Sequence, residues 1–414
     1  LNDRTGARYA LDLCARIATC TDVPGEITRL YLSQATHRVH AILRGEMEEL
    51  GMEVRVDAAG NLRGIYPGES GAAAVLLTGS HIDTVPDAGA FDGILGVAIP
   101  LACLRALGGR KLPFAVEVIA FSEEEGIRFR LPFIGSRAVA GSLGPAELQR
   151  VDAEGVSTAQ AIRDFGLDAR ELPAARLTPG TFGFVEVHIE QGPVLEALDL
   201  PLGVVTAIVG QTRLELTFTG RANHAGTTPM HLRQDALAAA AEWISAVERH
   251  ARNAPGLVAT VGMISVAPGA ANVVPGAAVL SLDVRHAEDA MREQAVAELL
   301  AAAERSAAAR GVEVSSRETS REAAVAMDSR MCSAIGEAVD AIGYRAHRMV
   351  SGAGHDAMIL AGAVPAGMLF IRTPKGLSHH PEEAVGERDV GAACAVFLRL
   401  LDGLDRLSLQ EVRI

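Results

Sequence analysis

Aromatic side chains are scarce in this chain, 4% of 414 residues, with one Trp, four Tyr and eleven Phe. That scarcity argues against an aromatic-stapled sandwich, whereas 42 glycines and Ala-rich stretches suit interleaved helices and strands. Cysteines are few: Cys14, Cys20, Cys103, Cys332 and Cys394 are scattered, odd in number and lack a C-x-x-C pair. Neither a disulfide framework nor a thiolate zinc site is supported, and the five read as small core or surface residues. Positive charge is in deficit, 38 Lys plus Arg against 51 Asp plus Glu, and the net charge of -13 repels polyphosphate and anionic lipid. No uncharged apolar run approaches the roughly 20 residues that span a bilayer. The opening LNDRTGARYALDLCARIATCTD carries charges where a signal peptide has its apolar centre. Nucleic acid and membrane are therefore not expected partners, and the expected compartment is the cytoplasm. With 49% hydrophobic and 21% charged positions, the chain is long and apolar enough for two or three well-filled domains.

Short apolar runs at Ala73 to Leu77, Ala115 to Phe121, Phe182 to Ile189 and Ala363 to Ile371 predict buried parallel strands. Three run straight into the polar clusters HIDT, SEEEG and EQG, and the fourth precedes a Pro/Gly loop and SHHPEE. In open α/β sheets ligand chemistry collects at the carboxyl ends of strands, so the four clusters are expected to form one site.

From about Thr212 to Thr319 the pattern reads strand, helix (Asp235 to His250), two strands, helix (Glu288 to Ala309), strand. Ala236, Leu237, Ala240, Trp243, Ile244 and Val247 recur at helical spacing, predicting one buried stripe. This βαββαβ order is that of a ferredoxin-like α+β unit. The fold class expected is α/β: an open mixed-sheet catalytic domain with helices on both faces, over 1–210 and 327–414, interrupted by the smaller domain at 211–326.

Histidines and carboxylates cluster in GSHIDTV (His81, Asp83), FDG (Asp92), SEEEG (Glu123, Glu124, Glu125), HIEQG (His188, Glu190) and SHHPEE (His379, His380, Glu382, Glu383). Sulfur-free imidazole and carboxylate donors suit Zn²⁺, Mn²⁺, Co²⁺ or Ni²⁺. Taken singly each segment is weak, since consecutive glutamates usually form a solvated face. That bland reading holds for Glu123 but fits Glu124 and Glu125 poorly, because they directly follow an apolar strand. Asp83, two residues from His81, is placed to accept its imidazole N–H. Either His379 or His380 serves as a ligand on chemistry alone.

The segments GSHIDT, FDGILGV, EEGIRF, HIEQGPVLE, NHAGTTPM, SGAGHDA and SHHPEE occur in that order from position 79 to 383. In this the chain resembles the amidase, hydantoinase/carbamoylase branch of the M20 metallopeptidases, the group of allantoate amidohydrolases, N-carbamoyl-L-amino acid hydrolases and β-ureidopropionases. The resemblance implies two divalent transition-metal ions: His81 and His188 on one, Glu125 and His379 on the other, Asp92 bridging, and Glu124 as general base. It also implies that His224, in NHAGTTPM, completes an oxyanion pocket; the alternative is a capping role before the Asp235 helix.

The expected substrate is a small ureido carboxylate. Arg285 offers a guanidinium fork to its carboxylate, Asn272 an amide donor, and Gln191 and Gln211 further polar contacts. Surface salt-bridging is the ordinary alternative for Arg285. Gly352 and Gly354 sit in a G-x-G-x-x-A segment that lacks a convincing preceding strand for dinucleotide binding; the family comparison gives its backbone amides to the substrate carboxylate. TRLYLSQATHR and GAFDGILGV resemble the allantoate subset more than the carbamoyl-amino-acid subset. The function expected is allantoate hydrolysis with release of ammonia and carbon dioxide, with N-carbamoyl-L-amino acid hydrolysis as the alternative and a non-catalytic binding relative as the different-class alternative. The resemblance further implies a homodimer formed through the inserted domain.

Overall fold

The structure, a computed structural model, describes residues 3–404. The chain forms two compact units, one built from the residues up to 206 together with those from 327 onward, the other from 207–326.

In the first unit the four apolar runs lie side by side as parallel strands, ordered Ala115–Phe121, Val75–His81, Thr181–Ile189, Ala366–Ile371. Leu62–Tyr66 and then Glu53–Val56 extend the sheet antiparallel on one side, and Leu202–Ile208 pairs antiparallel with Ala366–Ile371 on the other. The sheet is thus mixed, and every residue of Val75–His81, Ala115–Phe121 and Ala366–Ile371 is buried, as expected where elements cover both faces of parallel strands.

The first strand runs past the Leu77 end read from hydrophobicity. Its polar continuation stays in the sheet because each group finds a partner: the Thr78 hydroxyl donates to Val185 O at 2.7 Å and the Ser80 hydroxyl to Glu186 Oε1 at 2.7 Å. Gly79, at φ 141°, leaves no room for a side chain, since a Cβ there would lie 1.8 Å from Ile119 O. His81 thereby becomes a strand residue, in register with Phe121. The fourth strand begins at Ala366, after a turn that occupies the start of its apolar run.

The Ile94–Ala106 helix is buried on nearly every side, as its all-round apolar sequence requires. The Asp3–Ala18 and Glu387–Gly403 helices pack against it. All five cysteines are buried and free. The core also holds an ion cluster: Arg63 Nε donates to Glu117 Oε1 at 2.7 Å, and Arg63 Nη1 lies 3.6 Å from Asp57 Oδ2, all three side chains being at most 1% exposed.

The second unit has an antiparallel sheet ordered Ile264–Ala267, Ala277–His286, Gly210–Thr219, Glu313–Glu322, with Val258–Thr260 also on Ala277–His286. Burial alternates residue by residue along Ala277–His286, the mark of a sheet with one covered face. The helices Ala236–Asn253 and Asp289–Ala308 pack on it and on each other. Asp235 is the N-cap of the first, accepting the N–H of Ala238 at 3.0 Å, so the capping role open to His224 is filled by Asp235. Trp243 anchors the core, fully buried and donating its indole N–H to Leu299 O at 2.9 Å.

Candidate active site

Because the four parallel strands are neighbours, their carboxyl ends deliver the polar clusters to one place. His81 is the last residue of its strand, and His188 is the penultimate residue of Thr181–Ile189. Their Nδ1–H groups donate to backbone carbonyls, His81 to Asp83 O at 3.0 Å and His188 to Ile189 O at 2.9 Å. A carbonyl only accepts, so these bonds fix the tautomer and leave both Nε2 lone pairs turned away from the strand.

Both lone pairs face Asp92 Oδ1, at 3.5 Å from His81 Nε2 and 3.3 Å from His188 Nε2, and the two nitrogens are 3.5 Å apart. Asp92 Oδ1 is buried and has no hydrogen-bond partner. Three electron-rich atoms facing one another this closely in a buried setting call for a cation between them. The centre of their near-equilateral triangle is about 2.0 Å from each corner, the length of a zinc–nitrogen or zinc–oxygen bond.

Asp92 Oδ2 faces a second group. His379 Nε2 lies 3.3 Å from it and 3.4 Å from Glu125 Oε1. Asp92, Glu125 and His379 form one set of closely spaced donor atoms; His81, Asp92 and His188 form another. His81, Glu124 and Glu125, and Glu186, His188 and His355, are also close enough to group. Asp92 reaches this position because Gly93 begins the buried helix at φ 69°, where a Cβ would lie 2.6 Å from His81 Nδ1.

Glu124 is buried beside these donors. Burial, together with the charges of Glu125, Asp356 and Asp83, raises its carboxyl well above the usual range against the pull of His81. Glu123 departs from the solvated face expected of it: it is buried, and its Oε1 has no partner.

Asp83 also differs in detail from expectation. It is the backbone carbonyl of Asp83 that takes the His81 N–H, while the side-chain Oδ1 stands 3.5 Å away. The carboxylate accepts the N–H groups of Glu124 and Glu125. Gln191 lies within the cluster: its Nε2 donates to Asp92 Oδ2 at 3.0 Å and to Ser378 Oγ at 3.1 Å. Gln191 and His379 both adopt left-handed backbone, at φ 57° and 56°. Conformations of this kind gather at functional sites.

Behind this cluster, His355 packs its ring 4.4 Å from that of His188 and lies 2.9 Å from Ser351 Oγ. Gly354 abuts Phe133, whose ring a Cβ at 354 would meet at 2.8 Å; Gly352 is exposed. Arg29, from the TRLYLSQATHR segment, is buried and donates through Nε to Ile82 O at 2.8 Å. No sequence pattern gives a role to Arg29, Ser378 or Glu383, although SHHPEE contains the last two.

Within the second unit, His224 and Asn272 are neighbours. Asn223–His224 pairs with Val273–Val274, and Ala225 donates its N–H to Asn272 O at 2.8 Å. His224 is exposed, its Nδ1 accepting the Gly226 N–H at 3.1 Å. Gln211 stands directly across the sheet from Arg285. The Arg285 fork donates to Asp283, Nε to Oδ1 at 2.9 Å and Nη2 to Oδ2 at 3.0 Å.

Strand ends carrying a sulfur-free set of paired imidazoles and carboxylates around a shared aspartate form a candidate metal site. The chain belongs to peptidase family M20/M25/M40, whose profile matches residues 77–403. It is 40% identical to an N-carbamoyl-L-amino acid amidohydrolase of Geobacillus stearothermophilus, over 91% of this chain and 92% of that one. It is 38% identical to allantoate deiminase 2 of Glycine max, over 93% and 86% of the two chains. A crystal structure of an amidase of the hydantoinase/carbamoylase family from Burkholderia multivorans superposes with a TM-score of 0.89 at 34% identity, covering 95% of this chain and 97% of that one. Among the described residues no helix is long and apolar enough to cross a membrane.

Proposed function

We propose that the protein hydrolyses the ureido C–N bond of a small carboxylate-bearing substrate, with allantoate as that substrate: allantoate and water give ureidoglycine, ammonia and carbon dioxide. The observation that carries the reading is Asp92, whose two carboxylate oxygens face two separate ligand groups. His81 and His188 would hold one divalent ion, Glu125 and His379 the other, with Zn²⁺, Mn²⁺, Co²⁺ or Ni²⁺ matching the donor chemistry. When bound, such a pair supplies Lewis acidity toward a carbonyl oxygen and acidifies a shared water.

The chain's own groups do the rest. Glu124 takes the proton from the attacking water and returns it to the departing nitrogen, a transfer a ureido group needs because its resonance-stabilised carbonyl is a poor electrophile. Asp83 holds the backbone on which Glu124 is carried. His224 is assigned to the oxyanion, and Asn272, Arg285, Gln191, Gln211 and the amides of Gly352 and Gly354 to the substrate's polar groups.

N-carbamoyl-L-amino acids are the second reading, favoured by the 40% identity to the Geobacillus amidohydrolase. Metal-reconstituted protein given allantoate and a panel of N-carbamoyl-L-amino acids decides between them: turnover of allantoate at the higher kcat/KM upholds the first, and absence of ammonia release from allantoate removes it.

The strand order of the 207–326 unit fits a ferredoxin-like unit, and we assign a homodimer to it. In support, Ile264–Ala267 is an edge strand, and Met263 and Ile264 there are exposed. Light scattering on the purified protein tests this; a monomer at all concentrations would remove it.

A further inference from the structure

We infer that Glu383 is a positioning residue that clamps the loop carrying Asp92 to the loop carrying His379, and that it is needed chiefly to hold the second of the two ions. The inference rests on the two-ion reading. Glu383 is buried, and its Oε1 accepts two consecutive backbone N–H groups, those of Phe91 and Asp92, each at 3.0 Å. Its Oε2 lies 3.2 Å from the hydroxyl of Ser378, the residue before His379, and that hydroxyl is 3.1 Å from Asp92 Oδ2. One carboxylate therefore fixes the backbone of the shared aspartate and, through Ser378, the oxygen that faces His379.

The two ligand groups differ in how much they depend on this clamp. His81 and His188 lie on buried sheet strands, and their rings are tied by Nδ1 to carbonyls of their own segments. His379 lies on a loop, with left-handed backbone and a side chain 47% exposed. Loosening the clamp thus frees Asp92 Oδ2 and His379 while the two strand-borne imidazoles stay put. The close approach is built into the chain: a Cβ at Gly89 would lie 2.3 Å from that of Glu383. Partners of this kind, one bond removed from the ligands, are worth roughly 10- to 100-fold in metal affinity.

The test is a Zn²⁺ titration of chelator-stripped protein against a chromophoric competitor, which reads both binding steps without turnover. Wild-type protein is expected to take two ions. Glu383→Ala should hold the first within about threefold of wild type and the second 10- to 100-fold more weakly. Glu383→Gln keeps an acceptor oxygen for the two N–H groups and should hold both within about threefold. If circular dichroism shows Glu383→Ala unfolded, Glu383→Asp takes its place; the same charge one methylene short should weaken the second ion at least tenfold. Unchanged second-ion affinity in the variant that folds, or equal weakening of both ions, overturns the proposal while leaving the two-ion reading intact. A wild-type protein that takes a single ion overturns that reading and this proposal with it.

Discussion

The Asp83 carboxylate accepts the backbone N–H of Glu124 at 2.9 Å through one oxygen, and that of Glu125 at 3.0 Å through the other. The strand end that carries His81 is thereby tied to the loop that carries the proposed base and a proposed ligand. Glu124→Gln keeps this backbone tether and the side-chain volume but loses the proton acceptor. Retained metal content and kcat lowered by roughly 10²- to 10⁴-fold are expected. Elemental analysis beside steady-state kinetics checks both, and wild-type turnover would exclude Glu124 as the base.

Arg285 presents its fork to Asp283 in this structure. If the guanidinium is the group that takes the substrate carboxylate, Arg285→Lys retains the point charge and loses bidentate geometry. KM should then rise with kcat changed less. An unchanged KM places the carboxylate elsewhere.

Arg63 lies in the core between Glu117 and Asp57, and also donates to Ala175 O. Arg63→Met leaves two buried carboxylates uncompensated, a loss of about 3–5 kcal/mol. Urea unfolding followed by far-ultraviolet circular dichroism should show a lower midpoint. A shift worth under about 1 kcal/mol would contradict the account, since that is the scale of an exposed pair.

His40 sets a pH dependence away from the active site. Burial, reinforced by the positive charges of His37 and Arg44, drives its pKa down to about 4, and its Nε2 has no hydrogen-bond partner. In the unfolded chain the group titrates near 6.5, so the unfolded state binds the proton first as pH falls. Its stabilising contribution is complete above about pH 6.5 and is lost toward pH 4, about 3 kcal/mol in all. His40→Leu should show a correspondingly shallower loss of stability over that window than wild type; identical profiles would rule the residue out.

What the residues themselves disclosed was the gathering of strand ends. Four apolar runs with polar tails are local patterns, and their placement side by side follows from the rules of parallel sheets. Hydrophobicity alone ends the Val75–His81 strand at Leu77 because its last residues are mostly polar, and the burial of Thr78 and Ser80 depends on partners more than 100 residues away, Val185 and Glu186. Long-range bonds to backbone also hid Glu383, whose contacts with Phe91 and Asp92 leave no periodic trace. The Arg285–Asp283 pair was within reach of the sequence, because residues two apart in a strand share a face.

Ala366–Ile371 enters the sheet between Thr181–Ile189 and Leu202–Ile208, two strands made far earlier in the chain. Without residues 366–371 each of those two strands would lack one neighbour, and without the segment that follows, the imidazole at 379 would be missing. Unpaired rims are open to wrong partners, and a chain lacking His379 would lack one of the ligands assigned to the proposed second ion. A site assembled from strands and loops so far apart in sequence thus depends on the segment after position 326 as much as on the one before position 207.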